Sequence, residues 1–182
     1  MARKMKLIAV ISVLLTAVCV ILSNNKADGF AFSMAITVGT ISYHFVMRLA
    51  VGTVINLLMN NRANYRARWF QVSEAEHRRY QKLKVKAWKK NMPTYDPACF
   101  DKRIHSWEEI IQAMCQAEVV HEVIVVLSFV PILASRPFGA AVVFVVTSIL
   151  SAMFDGMFVI MQRYNRLRIT KMIDNGANRQ KE

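Results

Sequence analysis

The sequence is poor in cysteine and in acidic residues. Its 182 residues include three Cys, too few for a secreted disulfide scaffold. There is no CxxC and no Cys/His cluster, so the spacing of a zinc site is absent. No internal repeat and no low-complexity stretch occurs. Asp and Glu number 12 against 24 Lys and Arg, leaving a net charge of +12 and a pI near 10. Hydrophobic residues are plentiful at 54%, above the roughly 45–50% of a soluble domain even with Gly counted. That content excludes disorder. A soluble nucleic-acid binder accounts for the charge but not for the long uncharged runs. An integral membrane protein with basic cytosolic surfaces accounts for both.

Four hydrophobic segments predict four transmembrane helices, at about 7–23, 30–54, 116–134 and 138–161, in a single membrane domain over 1–182. The first, Leu7–Leu22, follows Arg3, Lys4 and Lys6 as a signal peptide would. No small-x-small cleavage pattern follows it, so it reads as a retained helix. Phe30–Met59 contains only His44 and Arg48 as interruptions. As a helix it reaches about 45 Å, so it tilts or runs past a hydrocarbon core of about 30 Å. Val119–Ala134 is closed by Ser135-Arg136-Pro137, with the proline as the stop. Phe138–Met161 contains one charge, Asp155.

Orientation follows from the Lys and Arg count near the spans. The N-terminus holds three, the Asn60–Gln116 loop twelve and the tail from Arg163 six. Lys26 and Arg136 stand alone in the other two connections. This predicts an all-α protein of the cell (inner) membrane, with both termini cytosolic. Its loop of about 60–115 would be basic, amphipathic and cytosolic.

Ala75–Lys90 of that loop reads as a helix, with seven positive charges between Arg78 and Lys90 and the aromatics Trp69, Phe70, Tyr80 and Trp88 interleaved. Such a helix suits an anionic membrane surface. Electrostatic anchoring and a phosphate cradle for a lipid or coenzyme-type donor both fit. Nucleic acid fits poorly beside membrane spans. Ser106 with Glu109 has the spacing of a capping box opening the third span.

Ionisable groups inside a bilayer are costly and are functional candidates by default. His44 and Arg48 share one face of the second helix. Glu118 and His121 stand three apart on the third, near Cys115 and Glu122. Asp155 lies in the fourth, and Arg163, Asn165, Arg166 and Arg168 follow it. Counting about twenty residues per crossing puts His44, Arg48, Glu118, His121 and Asp155 in the cytosolic leaflet. A single Glu-x-x-His is half of a di-iron bundle motif, so no metal is expected. Glu118 and His121 suit an orienting carboxylate with a general base, and His44 is a further catalytic candidate. Arg48 or Arg163 could hold a phosphate or an oxyanion. No Ser nucleophile elbow and no His-x-x-x-x-Asp pair is present.

The stretch Ala117-Glu118-Val119-Val120-His121, the apolar span after it, and Gln162-Arg163-Tyr164-Asn165-Arg166-Leu167-Arg168 with Thr170 resemble the glycosyl-4,4'-diaponeurosporenoate acyltransferases. Lys86-Ala87-Trp88-Lys89 followed by Tyr95-Asp96 is similar to that family's basic Trp-Lys motif. The resemblance covers Lys82 to Met172. It implies a membrane acyltransferase that esterifies a lipid-linked sugar, in the namesake a glucosylated C30 carotenoid. It puts weight on Trp88, Lys89, Glu118, His121, Arg163, Asn165 and Arg166. Asp155 and His44 depart from the family's pattern.

The combined expectation is transfer of a fatty acyl group to a hydroxyl of a glycolipid or similar lipid. His121 would be the base and Glu118 its orienter. Arg48, Lys86, Trp88, Lys89, Asp155, Arg163, Asn165 and Arg166 would hold substrate or donor. No cofactor is bound in this reading. The donor is a co-substrate, an acyl-CoA, an acyl carrier protein or a phospholipid. The alternative is a non-enzymatic membrane subunit whose buried polar residues pack helices.

Overall fold

The computed structural model describes residues 2–25 and 29–179. Lys26 and Lys181, counted above for the charge bias, lie outside them. Four helices are long and apolar enough to cross a membrane, over Arg3–Ser23, Gly29–Met59, Trp107–Phe138 and Ala141–Asp174. No strand occurs among the described residues.

Helix α1 covers Ala2–Asn25 and α2 covers Gly29–Met59. The loop segment holds α3, Glu74–Lys82, and α4, Val85–Trp88. Helix α5, Trp107–Leu127, is followed by the short α6, Ser135–Phe138, and by α7, Ala141–Arg179. At 1.5 Å per residue α7 is about 58 Å long, so it runs well beyond a bilayer core of about 30 Å.

Two helix ends differ from expectation. Helix α5 stops at Leu127, and Pro137 lies inside α6. The stop is Pro131, which has no N–H to donate to the Leu127 carbonyl four residues earlier. The Tyr43 hydroxyl donates to that carbonyl instead, at 2.9 Å. The chain reverses at Gly139 and Ala140, with φ of +68° and +51°. The single helix expected over Ala75–Lys90 is broken at Lys84, which takes a left-handed φ of 50°. The capping box forms as read: Glu109 N–H donates to Ser106 Oγ at 3.2 Å, and Ser106 N–H to Glu109 Oε2 at 2.7 Å.

The chain divides into two compact units. The first comprises Met1–Thr53 and Val123–Asp155. Its α1 turns Leu7, Ile11, Leu14, Val18 and Ile21 outward and buries Ala9, Ser12 and Cys19. Large apolar side chains outside with small or polar ones inside is the arrangement that a lipid solvent favours. Thr16 and Ser42 hydroxyls join α1 to α2 at 3.0 Å. A Cβ at Gly39 would stand 3.4 Å from the Thr16 methyl, an ordinary contact, so Gly39 faces α1 without being required for the approach. The second unit comprises Val54–Glu122 and Gly156–Glu182. Ile110, Ile111 and Cys115 are buried in it, and Tyr80, Val85 and Tyr164 form a cluster packed by Val72, Trp88 and Ile160.

Candidate functional site

In the second unit, α5 carries Glu118 with no exposed surface. Arg163 and Arg166 are three apart on α7 and so project to one side. Both reach Glu118: Arg163 Nη1 donates to Oε1 at 2.6 Å and Arg166 Nη1 donates to Oε2. Arg163 also donates from Nε and Nη2 to the Glu76 carboxylate at 2.6 and 3.2 Å, and to the Trp69 and Gln71 carbonyls at 3.1 and 3.0 Å. A guanidinium has five N–H donors, and all five are used here. Arg166 adds the Phe70 carbonyl at 2.7 Å and lies over the Phe70 ring. Two arginines and two glutamates thus balance in charge, and they pin the turn Arg68–Phe70 against α7.

Glu76 is held in place by the Ser73 cap, whose Oγ accepts its N–H at 3.2 Å. Burial raises the Glu76 pKa, but hydrogen bonds from Arg163 and Tyr80 outweigh it and hold the carboxyl below its ordinary value. Burial and the same bond to Glu76 push the Tyr80 phenol up. Glu76 escapes notice in the sequence, although Glu74 and Glu76 are the only acids between Asn60 and Tyr95. The Trp69, Phe70 and Gln71 carbonyls leave no sequence signal at all.

Lys89 donates to the Asn165 side chain and sits 4.9 Å over the Tyr164 ring. Burial, then Arg168 and Lys86, lower its pKa. Lys86 and Arg168 are exposed. Trp88 packs on the Tyr80 cluster and donates its indole N–H to the Leu83 carbonyl at 3.1 Å. His121 stacks on Phe158, with centroids 4.5 Å apart and planes 6° apart. The Trp69 indole donates to Glu122 Oε2 at 3.0 Å.

The other expected residues belong to the first unit. Arg48 Nη2 meets Asp155 Oδ2 at 2.5 Å and Ser151 Oγ at 2.7 Å, and Nη1 meets the His44 carbonyl at 3.1 Å. Asp155 is 1% exposed. Ser151 and Ser128, absent from the expected set, extend the network at 2.9 Å. His44 is buried, and among the described residues neither ring nitrogen has a hydrogen-bond partner. Among the described residues no group of three or more His, Cys, Asp and Glu is placed to hold a metal ion.

Residues 66–175 match the family described as glycosyl-4,4'-diaponeurosporenoate acyltransferase. The match covers more than half of the chain, so the chain belongs to that family. No curated protein and no solved structure matches it.

Proposed function

We propose, from the premise that this chain belongs to the glycosyl-4,4'-diaponeurosporenoate acyltransferase family, that it transfers a fatty acyl group to a hydroxyl of a glycolipid or similar lipid. The reaction takes place at the cytosolic leaflet, with both termini on that side. The positive-inside bias of its Lys and Arg supports the orientation.

His121 is the general base. Its imidazole takes the proton of the acceptor hydroxyl as that oxygen attacks the acyl carbonyl carbon. The bond from the carbonyl carbon to the donor's sulfur or oxygen then breaks, and the departing group leaves with a proton from the imidazolium. A carboxylate accepts about four hydrogen bonds. Glu118 can therefore orient the imidazole while it accepts from both arginines. Arg163, whose five donors are all engaged within the protein, and Arg166, which is held by Glu118 and the Phe70 carbonyl, are positioning residues here. The donor is an acyl-CoA, an acyl carrier protein or a phospholipid. Its phosphate falls to Lys86 and Lys89, with Arg168 beside them. The bond from Lys89 to Asn165 brings this lysine against α7, which carries Arg168 three residues on, and that juxtaposition of cations supports the reading.

Comparative lipidomics of cells expressing wild type or His121→Ala tests the proposal. An acylated lipid present only with wild type is expected, at equal protein levels. An unchanged lipid profile between the two would refute it. The internal engagement of all five Arg163 donors favours a second reading, a non-enzymatic membrane subunit. Loss of assembly in His121→Ala with no change in any lipid would support that reading.

A further inference from the structure

Helix α3 turns one flank into the second unit and the other to solvent. On the inner flank Tyr80 is buried in the cluster with Val85 and Tyr164. Ala75, Arg78, Arg79 and Lys82 follow the i, i+3, i+4, i+7 spacing of a single helical stripe. All four are exposed, and the exposed Leu83, Lys84 and Lys86 continue this surface past the end of the helix. Among the described residues none of these five cations forms an ion pair. Like charges at i and i+4 weaken a helix, so the Arg78–Lys82 spacing does nothing for the stability of α3. It is a fixed cationic array open to an anionic partner.

A bilayer surface and an acidic protein both have the right charge. A helix that lies on a bilayer inserts an apolar face. Here the aromatic side chains that would form one are turned inward, with Tyr80 in the buried cluster and Trp88 packed against it. Between Glu74 and Lys84 the exposed large apolar side chain is Leu83 alone. A polar, cationic helix flank with one leucine beside it therefore suits an acidic protein surface better than a membrane. The same unit also carries the proposed phosphate site at Lys86 and Lys89, and Lys86 lies on the exposed surface that continues the stripe. A carrier protein holds its acyl group as a thioester on an arm joined through one phosphodiester. It thus offers both a phosphate and an acidic surface, whereas coenzyme A offers phosphates alone.

We propose that the acyl donor is an acidic acyl carrier protein that docks on the Arg78, Arg79 and Lys82 stripe, with the phosphate of its arm at Lys86 and Lys89. This rests on the acyl-transfer reading. In the transfer, the acceptor oxygen bonds to the thioester carbonyl carbon and the carbon–sulfur bond breaks. The arm leaves as a thiol bearing the proton of the acceptor hydroxyl. Because the docking charges are exposed, the attraction is screened by salt.

The test uses the full chain in phosphatidylcholine nanodiscs, titrated with purified palmitoyl acyl carrier protein and read by calorimetry at low and high salt. Saturable binding is expected at low salt, weakened at high salt. Arg78→Glu/Lys82→Glu should raise the Kd about tenfold or more. Arg62→Glu/Lys102→Glu changes the net charge equally at exposed positions off the stripe and should bind as wild type does. If the stripe variant fails to fold, Arg79→Ala decides by the same titration. No saturable binding by wild type, or equal binding by the stripe variant, would overturn the inference. A melting temperature raised by phosphatidylglycerol nanodiscs in wild type but not in the stripe variant, without carrier binding, would assign the stripe to the membrane. Acyl transfer from palmitoyl-coenzyme A without carrier binding would overturn the docking and leave the reaction standing. Carrier binding that His121→Ala retains, with no acyl transfer by wild type, would support the docking and count against the reaction alone.

Discussion

Replacing Glu118 by Gln keeps the shape of the side chain and removes its charge. In the native protein that carboxylate is fully buried and meets two guanidinium groups. Arg163 retains Glu76 after the change. Arg166, only 2% exposed, retains the Phe70 carbonyl and ring but no carboxylate. Removing one partner of a buried pair costs about 3–5 kcal/mol, because the other charge is left uncompensated. Total stability is on the order of 5–15 kcal/mol. For a chain of this size each kcal/mol moves the melting temperature by about 2–4 °C, so a fall of about 6–20 °C is expected. Thermal unfolding of the purified protein in nanodiscs measures it. Adding Arg166→Met to Glu118→Gln should restore part of the loss, since the stranded charge is then gone, and a double-mutant cycle reports the coupling. A Glu118→Gln protein that melts with the wild type, or strictly additive single mutants, would refute this account. Lost acyl transfer in Glu118→Gln therefore says nothing about catalysis unless the fold is shown to be intact.

In the first unit, Asp155→Asn should cost about 3 kcal/mol by stranding Arg48, whereas Ser151→Ala should cost about 1 kcal/mol by losing one hydrogen bond. Equal melting temperatures for the two variants would contradict the pairing. Glu76 gives a pH signature. Its folded pKa lies below its usual value of 4.5, so the stability it contributes is present above that value and is lost as the pH falls through the folded one. Melting temperature below pH 4.5 should therefore decline more steeply in wild type than in Glu76→Gln, and parallel curves would count against the Arg163–Glu76 pair. Lys84 holds a left-handed backbone that costs a side-chain-bearing residue about 1–2 kcal/mol, of which Gly returns about 0.5–1 kcal/mol in lost chain entropy. Lys84→Gly should be neutral or stabilising by up to about 1.5 kcal/mol and Lys84→Val destabilising, as read by thermal unfolding.

The four apolar helices were legible because length and hydropathy are properties of a run of residues, and the Ser106–Glu109 cap because its two bonds close over three residues. What hydropathy could not supply was the place where a helix breaks. Pro131 and Pro137 look alike in an apolar run. The first ends α5 by withholding a donor from Leu127, while the second sits in a first turn, where no donor is needed. Lys84 breaks its helix with no Gly, Pro or Asn to mark the spot. At the candidate site the arginines and Glu118 stood out as costly charges, but their partner Glu76 was hidden in an ordinary surface helix.

Charge inside a membrane protein is a functional signal only for what remains after pairing. Arg48 with Asp155, and Glu118 with Arg163 and Arg166, are ionised residues that the sequence alone marks as suspects, and each has its counter-charge. Their energetic cost is met within the protein, so their presence is explained without a substrate. The same reasoning turns attention to groups that pairing does not satisfy. In the first unit they are His44 and Ser148, buried with no hydrogen-bond partner for the imidazole or the hydroxyl among the described residues. In the second unit these include Lys89, whose described partners are an amide and a ring, with Lys86 and Arg168 near it. A cation cluster is relieved by an anion. The proposed donor phosphate therefore falls in the second unit, on cations that pairing leaves over.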